Sequence, residues 1–219
     1  MSAAADRLHR IQTEIASAAK IAGRDPGEVR LIAVSKTRSQ DEIEALIAAG
    51  QCDFGESRVQ EALAKWPPIL EARPDITLHC VGRLQSNKAA EAVRLFAVIH
   101  SLDRQSLLEA LVREADKQGR APSVYVQVNI GEEEQKGGCA IGEVAELIAA
   151  VRTSPLPLAG LMAIPPQDVE PAPFFALLAE IARRHDVAGL SMGMSADYHA
   201  AVKLGATAVR VGTALFEDG

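Results

Sequence analysis

Short apolar segments alternate with Ala- and Leu-rich helical segments along the whole chain, and this alternation is the feature that most constrains the fold. Strands that alternate with helices pair in parallel through right-handed crossovers. Eight such units in 219 residues match the lower size range of a (β/α)8 TIM barrel. We predict this α/β barrel, with a doubly wound open sheet as the alternative. The predicted strands lie at positions 29–35, 52–54, 76–81, 97–100, 123–130, 157–162, 188–191 and 206–211.

An amphipathic helix precedes the first predicted strand. Leu8, Ile11, Ile15 and Ala19 recur at spacings of three and four residues, and Gly23 ends the pattern. With this extra N-terminal helix, the eight units account for nearly all of the sequence, and no Pro-, Gly- or Ser-rich linker divides it. We therefore expect one domain covering residues 1–219, with no room for a second.

Charge and cysteine content exclude several classes of protein. The chain carries 29 Asp and Glu residues against 23 Lys and Arg residues, and it has no basic cluster, which argues against nucleic acid as a partner. Cys52, Cys80 and Cys139 are odd in number and form no Cys-x-x-Cys pair, so we expect free thiols in a reducing compartment and no metal site. No run approaches about 18 apolar residues. We expect no membrane partner and a cytoplasmic location.

Polar and glycine-containing segments follow the predicted strands. In a barrel, the loops at the carboxyl ends of the strands build the active site. The sequence therefore predicts one site to which all eight units contribute. The candidate residues at these strand ends are Lys36, Ser57, Asn129, Met162, Ser191, Ser195, Arg210, Gly212 and Thr213.

Lys36 is the candidate nucleophile. The two-residue period of a strand puts it in phase with Ile32 and Val34, so it would lie above an apolar layer if those side chains point into the barrel. An amine that is desolvated there loses proton affinity and can form a Schiff base. The alternative is an ordinary surface lysine at the end of a strand.

The last two units predict a phosphate site. Phosphate groups in these barrels commonly bind at the loops after strands seven and eight, where backbone N–H groups and glycine allow close approach. Ser195 and Gly212-Thr213 stand in these loops, and Arg210 lies in strand eight beside small residues. Ser195 could instead only cap a helix, and Arg210 could be a buried structural arginine. A strand-one lysine, a strand-eight arginine and a phosphate cradle together favour a phosphorylated aldehyde.

Seven segments, in order from the first strand to the last, carry a family resemblance. They are Ala33-Val-Ser-Lys-Thr37, Phe54-Gly-Glu-Ser-Arg-Val-Gln-Glu61, His79-Cys-Val-Gly-Arg-Leu-Gln-Ser-Asn-Lys88, Ile99-His-Ser-Leu-Asp103, Gly160-Leu-Met162, Leu190-Ser-Met-Gly-Met-Ser195 and Val209-Arg-Val-Gly-Thr213. These segments resemble the YggS/PROSC family of pyridoxal phosphate homeostasis proteins. The resemblance covers nearly the whole chain and implies a single barrel similar to the N-terminal domain of alanine racemase.

The resemblance also implies a role for each site residue. Lys36 would hold pyridoxal 5'-phosphate as a Schiff base, and Arg210 would lie at the pyridine nitrogen. Because guanidinium offers only donors and stays protonated, it should leave that nitrogen unprotonated and make the cofactor a weak electron sink. The residues that would surround the phosphate are Ser191, Ser195, Gly212 and Thr213.

Two positions depart from the family pattern. Ser57 stands where the family usually has Asn, which puts one polar contact in doubt, and Leu78 stands where it often has Trp. His79 is a candidate neighbour of the cofactor ring, although a lone strand histidine is more often a core residue with satisfied hydrogen bonds. With Ser57 and His79, Asn129 and Met162 are predicted to line the pocket.

Three functions fit these features. The leading hypothesis is a carrier that holds pyridoxal phosphate reversibly on Lys36, buffers it and delivers it to apoenzymes. The second is a pyridoxal-phosphate-dependent amino-acid racemase of low activity, with Tyr198, His79 or solvent acting on the second face of the ring. The third is a Schiff-base aldolase or another phosphate-binding barrel without a bound cofactor.

The predicted partners follow from the leading hypothesis. We expect pyridoxal phosphate and the apoenzymes that depend on it as partners. We also expect a monomer, because no surplus of large apolar residues is left once each helix packs on the barrel.

Overall fold

The computed structural model describes residues 2–217 and has eight parallel strands that close into a barrel in sequence order. This confirms the predicted TIM barrel and rules out the open sheet. Each strand overlaps its predicted segment. The strands are β1 (Arg30–Val34), β2 (Asp53–Glu56), β3 (Thr77–Cys80), β4 (Val98–Leu102), β5 (Ser123–Gln127), β6 (Leu158–Met162), β7 (Leu190–Ser191) and β8 (Ala208–Val211).

Helices surround the barrel, and the predicted N-terminal helix is present as the longest of the described helices. Three short 3-10 helices lie at Pro26–Glu28, Ser86–Lys88 and Ile141–Glu143. None of the helices within residues 2–217 combines the length and apolar character needed to cross a bilayer. The α-helices are α1 (Ala3–Ile21), α2 (Gln40–Ala48), α3 (Val59–Lys65), α4 (Pro67–Ala72), α5 (Ala89–Leu95), α6 (Gln105–Gln118), α7 (Val144–Arg152), α8 (Ala172–Arg184), α9 (Tyr198–Lys203) and α10 (Thr213–Phe216).

The pairing of β1 with β8 closes the barrel and brings the first and last units together. Ile32 is in register with Arg210, and Ala33 is in register with Val211. A Cβ added to Gly212 would lie 3.4 Å from the carbonyl oxygen of Val34. The chain segments that follow β1 and β8 therefore begin side by side at the carboxyl-terminal mouth of the barrel.

The two faces of the strands have different surroundings. Alternate residues such as Ala33, Phe54 and Val209 belong to the apolar core between the strands and the helices. The opposite face fills the barrel interior, and it carries polar groups: His100 of β4 is hydrogen-bonded to Ser191 of β7, a strand that is not its neighbour. The strand period thus separates an apolar outer layer from a partly polar interior.

Candidate functional site

Lys36 lies in the turn directly after β1, at the mouth of the barrel. Its side chain is exposed, and within residues 2–217 its amine has no hydrogen bond or ion pair. The expected burial above an apolar layer is therefore wrong, because β1 ends at Val34 and the turn carries Lys36 into solvent. What the sequence predicted correctly is a free primary amine at the carboxyl-terminal mouth.

A half-buried ion pair between Lys65 and Glu61 holds the backbone on both sides of Lys36. Lys65, the last residue of α3, donates to the carbonyl oxygen of Ser35 at 3.0 Å. Glu61 accepts from the backbone N–H of Thr37 at 2.6 Å, and Thr37 has a positive φ of 63°. A non-glycine residue in this conformation needs surrounding contacts to hold it. The turn that presents Lys36 is therefore held at its preceding and following residues.

Glu56 binds the residues that hold this turn. Its side chain is fully buried, and its Oε1 atom accepts from Lys65 at 3.0 Å, from Trp66 Nε1 at 2.9 Å and from the hydroxyl of Ser35 at 2.8 Å. We did not predict a role for Glu56, Lys65 or Trp66 from the sequence. The sequence signals these roles only through the spacing of Glu56, Glu61 and Lys65, and charged residues at such spacings are also common on the exposed face of a helix.

Arg210 lies in the barrel interior and is buried. Its Nη1 donates to Ser191 Oγ at 2.6 Å, and its Nη2 donates to the carbonyl oxygen of Ala163 at 3.1 Å. Among the described residues, no carboxylate forms an ion pair with it. Burial lowers the pKa of Arg210 to about 10. Arg210 therefore remains a cation at neutral pH, and it has donor groups for a neutral acceptor.

Ser191 is the last residue of β7, within the strand predicted at 188–191. Its side chain is fully buried in the barrel, and its hydroxyl is bonded to both Arg210 and His100, the latter at 2.8 Å. The expected contact of Ser191 with the phosphate stays a prediction.

Ser195 and Gly212 meet at the ends of β7 and β8, as expected for a common site. The backbone N–H of Gly212 donates to Ser195 Oγ at 3.2 Å, and Thr213 follows with an exposed side chain. Ser195 is not the cap of the next helix: α9 begins at Tyr198, and Asp197 occupies the cap position. Ser195 is thereby free to contribute its hydroxyl to the mouth of the barrel.

Three of the four residues expected as pocket lining, Met162, Asn129 and Ser57, differ in their contacts. Met162 is fully buried at the end of β6. Asn129 bonds through both ends of its amide to the backbone of Glu133, so it shapes its own loop. Ser57 is half-buried, and its carbonyl oxygen would lie 2.1 Å from a Cβ added to Gly82, so only glycine allows these two loops to approach.

His79 is a core histidine, the more common alternative that the sequence left open. It is buried in the barrel, where Nδ1 lies 3.0 Å from His100 Nε2 and Nε2 lies 3.0 Å from Asp53 Oδ1. Burial lowers the pKa of His79. Asp53 begins β2, so His79 is bonded on the side away from Lys36.

Tyr198 lies outside the barrel. Its hydroxyl is hydrogen-bonded to Glu14 of α1, and its ring stacks on His199. Burial, followed by the contact with Glu14, raises the pKa of Tyr198. Neither Tyr198 nor His79 is therefore placed to act as the second base that a racemase needs. Cys139, one of the three expected free thiols, is buried, and residue 139 pairs with Val128.

Comparison with known proteins agrees with this fold. Residues 7–218 match the sequence model of the family described as the alanine racemase N-terminal domain. The pyridoxal phosphate homeostasis protein of Pseudomonas aeruginosa is 41% identical over 99% of this chain and 96% of its own length. Its counterpart in Escherichia coli K12 is 37% identical over 99% of this chain and 97% of its own length.

Solved structures place the fold in the same group. PipY of Synechococcus elongatus, solved with PLP bound, is 38% identical with a TM-score of 0.84, covering 97% of this chain and 99% of that one. An alanine racemase of Clostridium difficile has a TM-score of 0.72 at 14% identity; the match covers 98% of this chain but 57% of the racemase. The chain therefore belongs to the pyridoxal phosphate homeostasis protein family, which shares the barrel of the alanine racemase N-terminal domain.

Proposed function

We propose that this protein binds pyridoxal 5'-phosphate reversibly, with Lys36 as the covalent attachment point, and serves vitamin B6 homeostasis. In this proposal it acts in the cytoplasm as a monomer, buffers the cofactor and delivers it to apoenzymes. The family membership supports the ligand, since relatives are named for pyridoxal phosphate homeostasis and PipY was solved with it bound.

The observation that carries the proposal is a buried arginine that forms no ion pair with a carboxylate within residues 2–217. It lies on β8, next to β1, the strand that precedes Lys36. Arg210 is in register with Ile32 of β1. Lys36 follows Ile32 by four residues, just beyond the end of β1. A pyridine nitrogen is the kind of neutral acceptor that a buried guanidinium can serve without a counter-ion. The amine of Lys36 has no protein partner within the described residues, so an aldehyde can reach it.

The phosphate of the cofactor fits the mouth beside these groups. The Ser195 hydroxyl, which accepts from the Gly212 N–H, and the exposed Thr213 side chain offer hydrogen-bond donors at the ends of β7 and β8. Gly193, in the loop between them, has a φ of 94°, and a Cβ there would lie 2.6 Å from the Ala201 side chain. The loop can therefore keep this close path only with glycine.

The residues of this site favour carrying the cofactor over using it. When bound, pyridoxal phosphate supplies an aldehyde for amines and a ring that withdraws electrons when its nitrogen is protonated. Arg210 has only donors and would leave that nitrogen unprotonated. The two side chains considered as a second base, Tyr198 and His79, are bonded elsewhere. These features support a carrier and not a racemase.

Adding pyridoxal phosphate to the purified protein should produce a visible absorbance band that survives gel filtration. Lys36→Ala should abolish the band, because no other amine is expected at the attachment point. Lys20→Ala, which removes an exposed lysine of α1, is the control and should keep it. The proposal fails if the wild-type protein gains no band or if Lys36→Ala retains it.

Amino-acid turnover tests the alternative function. With the cofactor bound, we expect racemisation of L- and D-amino acids far below about 1 per second, the lower end of ordinary enzyme rates. The measurement is the change in optical rotation, or chiral chromatography, over a panel of amino acids. Rates at or above that value would show an enzyme and would overturn the carrier proposal.

A further inference from the structure

A continuous chain of hydrogen bonds runs through the barrel from Arg210 towards the amino-terminal mouth. Arg210 Nη1 lies 2.6 Å from Ser191 Oγ, and Ser191 Oγ lies 2.8 Å from His100 Nδ1. His100 Nε2 lies 3.0 Å from His79 Nδ1, and His79 Nε2 lies 3.0 Å from Asp53 Oδ1. Five strands, β2, β3, β4, β7 and β8, thus share one polar path.

Only the Asp53 end of this path reaches solvent. Arg210, Ser191, His100 and His79 are all buried, whereas 22% of the Asp53 side chain is exposed. The same Asp53 oxygen also accepts from the Arg30 guanidinium at 2.9 Å. Asp53 is therefore the one member of the path that lies at the opposite mouth of the barrel from Lys36.

Burial disfavours the charged form of both histidines and lowers the pKa of each. Burial lowers the pKa of His100 well below its ordinary value, and the nearby His79 and Arg210 lower it further. The ring of Tyr125 stacks on His100 with a centroid distance of 4.4 Å, which leaves no room for water on that face. A neutral imidazole carries one N–H donor and one acceptor nitrogen. Each ring therefore has a single direction in which it can donate.

The chemistry of Asp53 determines that direction. Its carboxylate only accepts, so His79 Nε2 must carry the proton and His79 Nδ1 must accept. His100 Nε2 then donates to His79, and its Nδ1 accepts from the Ser191 hydroxyl. The Ser191 lone pairs are left for Arg210. In the reverse direction, the bare nitrogen of His79 would face the carboxylate, which is repulsive.

We propose that Asp53 is a positioning residue for Arg210 and acts on it through His79, His100 and Ser191 from the opposite end of the barrel. Hydrogen bonds that point the same way polarise one another, so the chain makes Ser191 Oγ a stronger acceptor. It thereby transmits part of the negative charge of Asp53 to a buried cation that has no carboxylate of its own. The effect on cofactor affinity rests on the function proposed above, whereas the direction of the hydrogen bonds does not.

The first test reads the direction in the cofactor-free protein. Long-range proton–nitrogen NMR spectra of the imidazoles should show the Nε2–H form for both His79 and His100. In Asp53→Ala, where water can donate to His79, we expect a mixture of the two ring forms. Asp53→Asn keeps an acceptor oxygen and should keep the wild-type ring forms. An Nδ1–H form in the wild type, or unchanged rings in Asp53→Ala, would overturn the proposal.

The second test measures the dissociation constant for pyridoxal phosphate. Asp53→Ala should weaken binding about fivefold, the expected effect of losing one net hydrogen bond. Asp53→Asn should restore only part of this loss, because it keeps the direction of the chain but not the negative charge. Asp75→Ala, which removes an exposed carboxylate paired with Arg73, is the control and should bind as the wild type does. Unchanged affinity in Asp53→Ala overturns the link to Arg210. A wild-type protein that binds no cofactor but shows the expected ring forms refutes the proposed function alone.

Discussion

The Lys65→Met variant is expected to unfold with a free energy about 3 to 5 kcal/mol below that of the wild-type protein. Methionine fills much of the same space but leaves the carboxylate of Glu56 buried without a counter-ion. Glu56 Oε2 already lacks a hydrogen-bond partner among the described residues, so no second contact compensates for the loss. Urea-induced unfolding of the cofactor-free protein, followed by circular dichroism, measures the change.

The same substitution should also weaken cofactor binding. Lys65 holds the carbonyl oxygen of Ser35, and its partner Glu61 holds the N–H of Thr37. Without Lys65, the turn that presents Lys36 loses one of its two attachments. We expect a higher dissociation constant for pyridoxal phosphate, at temperatures where the variant is still folded.

Two controls separate the buried ion pair from a general effect of removing a lysine. Lys117→Met breaks the exposed pair with Glu114 and should change stability by less than about 1 kcal/mol. Adding Glu56→Gln to Lys65→Met should recover stability, since glutamine keeps an acceptor for Trp66 and Ser35 but carries no charge. If the double variant is instead less stable than Lys65→Met, the buried-charge explanation is wrong.

The fold was predictable because its signals are local. Each strand is a short apolar run and each helix a periodic one, so the order of elements can be read without knowing any distant contact. The same period gave the placement of Arg210 correctly, because Ala208 and Arg210 share a face of one strand. For Lys36, the order of strands and loops correctly predicted the carboxyl-terminal mouth of the barrel. The strand period did not predict that the side chain is exposed, because it cannot show that β1 ends at Val34.

The interior of the site was not predictable, because it depends on contacts between distant segments. Ser191 and His100 are 91 positions apart, and only closure of the barrel brings them within hydrogen-bonding distance. The sequence placed Ser191 beside Ser195 because the two lie in one short motif. Their hydroxyls in fact face different regions, the barrel interior and the mouth. Lys65 was overlooked for the same reason, since its partners Ser35 and Glu56 lie on other elements.

Replacing Gly160 by alanine should lower the unfolding free energy by about 3 kcal/mol, because it forces β6 and β7 apart. A Cβ at Gly160 would lie 2.2 Å from the carbonyl oxygen of Gly189, and backbone atoms cannot move aside as a flexible side chain can. The expected fall in melting temperature is about 6 to 12 °C for a chain of this size. Differential scanning calorimetry of the cofactor-free protein measures it.

Gly142→Ala is the matched control for this prediction. Gly142 lies in the 3-10 helix Ile141–Glu143, it has no positive φ, and an added Cβ meets no atom within 4 Å. This variant should be as stable as the wild type or slightly more so, because alanine restricts the unfolded chain. Gly160→Ala should also weaken cofactor binding, since β6 and β7 carry Met162 and Ser191 at their ends. Equal melting temperatures for the two variants would show that the strands can separate without loss, and that the close approach of Gly160 and Gly189 is not required.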